Sequence, residues 1–175
     1  MDKIRRAFLV NRSLASLALL AALALSPSIA TAQAPQTSPL VGAWTLTAAD
    51  VIKPDGTRTQ DYGPNPHGLA VFTADGHCSV AIYRSDRLKF ASNDKRQGTP
   101  EEYKDASLGM STHFGICAVD TVKGTITFKI DSASFPNWDG TTQVRQFTVT
   151  GDELTWRVPP RPDGSVPVSS FKRVR

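Results

Sequence analysis

The sequence predicts an all-β domain, an antiparallel barrel of eight or nine strands with one short helix. Three observations support this fold class. Short apolar–polar alternating runs fill most of the chain, Asp-Gly and similar turn signals separate them, and strands and helices show no regular alternation. About eight strands enclose an interior that either is filled by side chains or holds one small ligand.

The first 32 residues have the pattern of an export signal. Basic residues precede an apolar run over residues 14–25, and residues 30–32 (ATA) form a cleavage site that would place the mature start at Gln33. The run is too short to span a membrane, and no cysteine near the cleavage site offers a lipid anchor. We therefore predict a signal peptide over 1–32, a linker over 33–39 and a domain over 40–175, in an exported protein that is periplasmic or secreted after cleavage near Ala32.

The export route is left open by the sequence. Residues 5–9 (RRAFL) are similar to the core of a twin-arginine signal. Ile4 occupies a position where Ser or Thr is usual in that signal. Twin-arginine export and ordinary secretion therefore both remain alternatives.

Removal of the signal changes the charge of the protein. The whole chain has 20 Lys and Arg against 16 Asp and Glu, and residues 1–32 hold four of the basic and one of the acidic residues. The mature chain thus carries 16 basic and 15 acidic residues, a net charge of +1. A nearly neutral domain without a basic cluster is a poor candidate for nucleic-acid binding.

Turn signals divide the domain into strands in a simple order. Residues 62–68 (YGPNPHG) are predicted to form a loop, because two prolines and two glycines disfavour regular structure. Turns are predicted at 55–56, 74–76, 123–124, 151–152 and 161–164. The predicted strands are 44–52, a short 57–61, 69–73, 77–84, 113–120, 125–131, 141–150, 153–158 and 166–174.

One segment has helix signals at both ends. Thr99 is a predicted N-cap, Pro100 suits the first helical position, and Glu102 completes a capping box with Thr99. Gly109 is the predicted stop. The helix is therefore expected from Pro100 to about Leu108.

Alternation assigns the inward faces of the strands. Ile126, Phe128 and Ile130 share one side of their strand, Leu154, Trp156 and Val158 share another, and Trp44 and Leu46 a third. These sets are expected to face the barrel interior.

Arg145 is an exception because it shares its face with Phe147 and Val149. A buried arginine needs a compensating partner. Arg145 could stack on a ring such as Trp44 and close one barrel end, or it could meet an anionic ligand group.

Cys78 and Cys117 each fall in a predicted strand. An oxidising compartment permits a disulfide between them if the strands are neighbours. The alternative is two buried thiols that act as small apolar side chains.

Four segments resemble a known family: 40–44 (LVGAW), 61–68 (DYGPNPHG), 90–94 (FASND) with 98–102 (GTPEE), and 135–145 (FPNWDGTTQVR). In these residues the chain is similar to the bacterial lipocalin-like domain proteins. The resemblance implies a lipocalin-like barrel but no single activity. The family often has a histidine on the strand that here carries Phe128 and Lys129, so the resemblance gives less support to an enzyme.

Candidate site residues follow from these assignments. We place Tyr62, Tyr83, Arg84, Trp138 and Arg145 near the barrel opening and assign Gly42 and Trp44 a structural role. A ligand is expected at the end away from Trp44, among the loop around Tyr62, the helix and Trp138. Phe128 faces the interior, and His113 is the one candidate general base. His67 and His77 are expected to be solvated, and no histidine or cysteine spacing fits a metal. The terminal residues 172–175 (KRVR) are expected to be a solvated tail.

Three functions compete. The first is a monomeric binding protein for a small apolar or amphipathic molecule, without a cofactor. The second is an isomerase, cyclase or hydratase that uses His113 with Tyr83 or Asp131 as an acid–base pair. The third is a structural or interaction module with a filled barrel, which would show an apolar patch on its outer surface.

Overall fold

The computed structural model describes residues 38–175. Nine strands, one α-helix and a short 3-10 helix (Pro136–Trp138) occupy this range. The signal peptide at 1–32 and most of the 33–39 linker lie outside the described residues. The elements are β1 (Gly42–Ile52), β2 (Arg58–Thr59), β3 (His67–Phe72), β4 (His77–Tyr83), α1 (Pro100–Leu108), β5 (Met110–Asp120), β6 (Thr125–Ala133), β7 (Thr142–Thr150), β8 (Glu153–Arg157) and β9 (Val166–Arg173).

The strands form one closed antiparallel barrel. Strand order runs β1-β3-β4-β5-β6-β7-β8-β9, and β9 pairs back onto β1. β2 is an addition that pairs only with Val51 and Ile52 at the end of β1. The predicted fold class is confirmed, with eight strands in the barrel and a ninth outside it.

The antiparallel order gives the barrel two distinct ends. β1, β4, β6 and β8 begin at one end, where β9 finishes beside Trp44; we call it the Trp44 end. β3, β5, β7 and β9 begin at the opposite end, which also holds the loop of Tyr62; we call it the Tyr62 end. The β8–β9 loop, α1 and the 3-10 helix all lie at the Tyr62 end.

The predicted inward faces form the core. Ile126, Phe128 and Ile130 are at most 1% exposed, and Leu154, Trp156, Trp44 and Leu46 are also buried. Val144, on the opposite face of β7 from Arg145, is 47% exposed, whereas Arg145 is only 5% exposed. The alternation of side chains therefore gave the correct face for the arginine as well.

The strand boundaries differ from the sequence prediction by at most three residues, and the starts of β3 and β5 are the two instructive cases. β3 begins at His67, inside the predicted loop, because Gly68 pairs with Ile82. A Cβ at position 68 would lie 2.5 Å from the carbonyl oxygen of Ala81, so the glycine allows this close pairing rather than breaking it. β5 begins at Met110, directly after Gly109, and not at His113.

The helix has the predicted bounds and cap. The Glu102 N–H donates to Thr99 Oγ1 at 3.2 Å, and the Thr99 N–H donates to Glu102 Oε2 at 2.7 Å. Glu102 Oε1 also accepts from the Ala91 N–H at 2.8 Å. The capping box therefore ties the preceding loop to α1 as well as starting the helix.

Cys78 and Cys117 are joined by a disulfide, with Cα atoms 5.8 Å apart. β4 and β5 are neighbours, and Cys78 lies opposite Gly115 in their register. Cys117 is thus the diagonal neighbour of Cys78 on the same inward face. Of the two sequence alternatives, the structure contains the bridge.

The Trp44 end is closed by Arg173, not by Arg145. The Arg173 guanidinium lies 4.0 Å from the centre of a Trp44 ring and donates to the carbonyl oxygens of Val41 at 2.9 Å and Pro39 at 2.6 Å. The prediction that Arg145 stacks on Trp44 is wrong, because β9 pairs Arg173 directly with Trp44. The prediction of a solvated 172–175 tail is also wrong for Arg173.

Gly42 makes room for this contact. Its φ is +124°, and a Cβ at this position would lie 3.3 Å from Arg173 Nη1. A side chain would thus be strained in the backbone and would crowd the guanidinium. Gly42 and Trp44 belong to one structural unit with Arg173.

We predict that Arg173→Met lowers the free energy of unfolding by about 2 kcal/mol, because two hydrogen bonds to carbonyls and the stacking on Trp44 are lost. The matched control is Arg175→Met. Arg175 is 85% exposed and pairs with Asp152 only, so its loss should cost less than about 0.5 kcal/mol. Urea unfolding of both variants measures the difference, and equal stabilities would contradict the role of Arg173.

Candidate ligand-binding site

A cavity of about 190 Å³ lies at the Tyr62 end of the barrel. Its apolar wall comes from β4, β8 and β9, the residue after β8, and the 3-10 helix: Val80, Ile82, Trp138, Trp156, Val158 and Pro167. Its polar residues are Tyr62, Ser111, His113, Arg145, Arg161 and Ser169. An apolar enclosure with a few polar groups is the usual composition of a small-molecule site.

Arg145 is the charged group on the inner wall. Its Nη2 donates to Gln143 Oε1 at 2.9 Å and to His113 Nε2 at 3.1 Å. The guanidinium lies 4.4 Å from the Phe128 ring centre and 5.7 Å from the centre of a Trp156 ring. Burial lowers the pKa of Arg145 to about 10, so the side chain remains a cation at neutral pH.

Arg145 has no carboxylate partner among residues 38–175 within ion-pair distance. The aromatic faces of Phe128 and Trp156 compensate part of the charge. A buried cation without a counter-ion is nevertheless costly. The site therefore has an excess of one positive charge.

His113 is neutral and its tautomer follows from its partner. It is 3% exposed, and burial, with the neighbouring charge of Arg145, lowers its pKa to about 3. An arginine can only donate, so His113 Nε2 must accept from Arg145. The ring proton of the neutral imidazole is therefore on Nδ1.

Three N–H groups at this site lack an acceptor. Arg145 Nε, His113 Nδ1 and Trp156 Nε1 are buried and have no hydrogen-bond partner among the described residues. An unsatisfied buried donor costs about 1–3 kcal/mol, so groups of this kind call for an explanation. All three belong to residues that line the same cavity.

The outer part of the cavity is lined by half-buried and exposed residues. Tyr62 and Trp138 are half-buried, and Arg161 pairs with Asp61 at 2.9 Å. Burial raises the pKa of Tyr62, which keeps its phenol neutral. Because Asp61 compensates Arg161, the rim adds no unpaired charge to that of Arg145.

Two other surface regions have no comparable group of unpaired buried donors among the described residues. A depression of about 260 Å³ at the Trp44 end is lined mainly by turn residues such as Thr73, Gly76 and Thr121. On the outer face of β3–β5, three apolar side chains are 39–54% exposed: Phe114 and Ile116 are neighbours on β5, and Leu69 lies on β3 with β4 between. We call this region the outer patch. Within residues 38–175, the unpaired buried side-chain donors all belong to the Tyr62-end cavity.

No three or more His, Cys, Asp or Glu side chains of residues 38–175 are grouped to hold a metal ion. The described part of the chain also contains no helix of the length and apolarity that crossing a membrane requires.

The family model for the lipocalin-like domain matches residues 41–171, nearly the whole described range. The chain belongs to the lipocalin-like domain family. The match begins in the segment around Trp44 and ends at Phe171, and so includes all nine strands except the last two residues of β9. No curated protein matches this lipocalin-like protein significantly.

Two solved structures are similar to it. A lipocalin-like protein from Bacteroides uniformis is 17% identical, with 77% of this chain and 98% of that chain covered and a TM-score of 0.41. A mutant of the fluorescent protein UnaG is 14% identical, with 77% and 95% covered and a TM-score of 0.35. At these values neither likeness bears on function.

The structure brings most of the candidate site residues together. Tyr62, His113, Trp138 and Arg145 line the cavity, and Phe128 packs against Arg145 and His113. His113 lies deeper than the barrel mouth at which it was expected. That these residues contact a ligand stays a prediction.

Tyr83 and Arg84 do not reach the cavity. The Tyr83 ring is covered by Arg87, whose guanidinium lies 4.6 Å from the ring centre. Arg84 pairs with Asp86 and Asp105 and so holds the loop after β4 against α1. Both residues are at the Tyr62 end, because β4 finishes there, but they follow the strand into this loop and do not line the cavity.

The acid–base pair predicted for an enzyme is not formed. His113 is hydrogen-bonded to Arg145, and neither Tyr83 nor Asp131 lines its cavity. Asp131 is exposed, on the face of β6 opposite Ile130. The prediction of this acid–base pair is therefore wrong.

Sequence reasoning missed Trp156, Ser111 and Ser169 as cavity residues. Trp156 was assigned to the core, and only the unpaired Nε1 distinguishes it from a packed tryptophan. Ser169 lies opposite Trp156 on β9 and faces inward. A small polar residue on an inward face was the signal that could have identified it.

We predict that acid destabilises the protein through His113. The unfolded state binds a proton as the pH falls through about 6.5, whereas the folded state does so only near pH 3. Stability is therefore full above pH 6.5 and lost below it, by about 1–2 kcal/mol between pH 7 and pH 5.

The variant His113→Gln isolates this contribution, because glutamine still accepts from Arg145 but does not titrate. His67 and His77 are exposed and are present in both proteins, so their contribution cancels in the comparison. Urea unfolding at pH 7 and pH 5 should show a smaller loss in the variant. Parallel losses in both proteins would mean that His113 is not buried as a neutral base.

Proposed function

We propose that this lipocalin-like protein is exported and binds a small apolar or amphipathic molecule in the cavity at the Tyr62 end. The barrel interior is only partly filled by its own side chains. Val80, Ile82 and Trp156 provide apolar contact area, and Arg145 fixes the orientation of the bound molecule. Burial of apolar ligand surface supplies most of the affinity, at about 25 cal/mol per Å².

The observation that carries this proposal is the combination of an apolar cavity with buried polar groups that have no protein partner. In a barrel with a purely structural role, three unpaired buried donors would lower stability without serving any function. A ligand acceptor, in contrast, turns each of them into a hydrogen bond. The cavity thus favours binding over a filled structural module.

Two features support export. Residues 1–32 have the pattern of a signal peptide, and the Cys78–Cys117 disulfide suits an oxidising compartment. The mature protein acts in the periplasm or outside the cell, as a monomer without a membrane anchor. The outer patch of Leu69, Phe114 and Ile116 favours one alternative, an interface with a partner protein.

Native mass spectrometry of the protein purified from its own host tests the proposal. The expected spectrum is a monomer that carries one small molecule, released on denaturation. Ser111→Phe places a ring in the cavity and should abolish this additional mass, since Ser111 lines the cavity and is only half-buried.

Thr148→Phe is the matched control, because Thr148 is exposed and on the outward face of β7. This variant should retain the bound molecule. A wild-type spectrum without added mass, or a bound molecule that Ser111→Phe retains, would count against the cavity as the binding site. A predominant dimer would instead favour the outer patch as an interface.

A further inference from the structure

Given the proposed function, the net charge of the cavity indicates which chemical class of ligand it binds. Arg145 contributes one positive charge, and the other cation at the site, Arg161, is compensated by Asp61. His113 is neutral and Tyr62 carries a neutral phenol. The described residues of the site thus carry a net charge of +1.

The buried hydrogen-bonding groups that have no partner among the described residues show the same imbalance. The unpaired groups Arg145 Nε–H, His113 Nδ1–H and Trp156 Nε1–H are all donors. The side-chain acceptors of Gln143 and His113 that contact Arg145 are already in use. A ligand that offers acceptors and negative charge therefore fits better than one that offers donors.

We propose that the ligand is a monoanionic carboxylate with an apolar body, whose carboxylate pairs with Arg145. One unpaired cation matches one negative charge, and the Nε–H of Arg145, which has no partner among the described residues, can donate a charge-assisted hydrogen bond to a carboxylate oxygen. His113 and Trp156 offer further donors to acceptor atoms of a ligand in the same cavity. The apolar body lies against Val80, Ile82 and Val158.

Neutral His113 contributes to this selectivity. Its Nε2 accepts from Arg145, which fixes the remaining proton on Nδ1 and presents a donor. An imidazolium would place a second cation 3.1 Å from the guanidinium. The pair therefore keeps the site at a single positive charge and favours a monoanion over a dianion such as a phosphate monoester.

The test compares naphthoate with its neutral amide, naphthamide, by isothermal titration calorimetry at pH 7. The two molecules have nearly the same shape and differ in charge. Wild-type protein should bind naphthoate at least about tenfold more tightly, because the hydrogen bonds to the carboxylate are charge-assisted. This comparison needs no variant and so does not depend on whether a variant folds.

Arg145→Gln should remove the preference for naphthoate and change the affinity for naphthamide by less than about threefold. Arg157→Gln is the control, because Arg157 is exposed on the outward face of β8 and its loss changes the net charge equally. It should keep the preference for the acid.

The outcomes separate this inference from the proposed function. Equal binding of naphthoate and naphthamide would overturn the carboxylate assignment and leave the cavity as a binding site. A preference that survives in Arg145→Gln would also overturn it. If neither molecule binds, the carboxylate assignment is overturned, and the native mass spectrum decides the proposed function separately.

Discussion

Arg145 is buried on aromatic faces without a counter-ion among the described residues, and much of the cavity is arranged around it. Phe128 and Trp156 lie beside the guanidinium, and Gln143 and His113 accept its hydrogen bonds. The charge of Arg145 helps to keep His113 neutral, which in turn decides which imidazole nitrogen carries a proton. The chemical character of the cavity thus depends on one side chain that the fold does not neutralise.

Each end of the barrel has an arginine stacked on aromatic rings, and the two arginines differ in how far their hydrogen-bond donors are paired. At the Trp44 end, Arg173 stacks on a ring and both of its terminal nitrogens reach backbone carbonyls, so its donors are largely satisfied. At the Tyr62 end, Arg145 also stacks on rings but retains an unpaired Nε. The first arrangement explains a closed end, and the second is the one expected where a ligand completes the hydrogen bonding.

Strand alternation and turn chemistry were sufficient to predict the barrel, its capped helix and the inward position of Arg145. These features depend on local periodicity, which the sequence contains directly. The partners of Arg145 and Trp44 could not be predicted, because they depend on which strands meet across the closed sheet. Register pairs Trp44 with Arg173, a residue at the far end of the chain, while Arg145 meets His113 from a strand two positions away. Likewise, Tyr83 and Arg84 are of residue types that are common in binding sites, but they follow the loop toward α1.

The most direct test of this account is the stability of Arg145→Met in ligand-free protein, prepared by unfolding and refolding and measured by urea unfolding at pH 7. If Arg145 is retained for a ligand, methionine should leave the free energy of unfolding unchanged or raise it by about 1–3 kcal/mol, as when a buried ionic group is replaced by an apolar one of similar volume. Arg157→Met, at an exposed position, controls for the change in net charge. A loss of more than about 2 kcal/mol in Arg145→Met would contradict the account, because the arginine would then be part of what holds the barrel together.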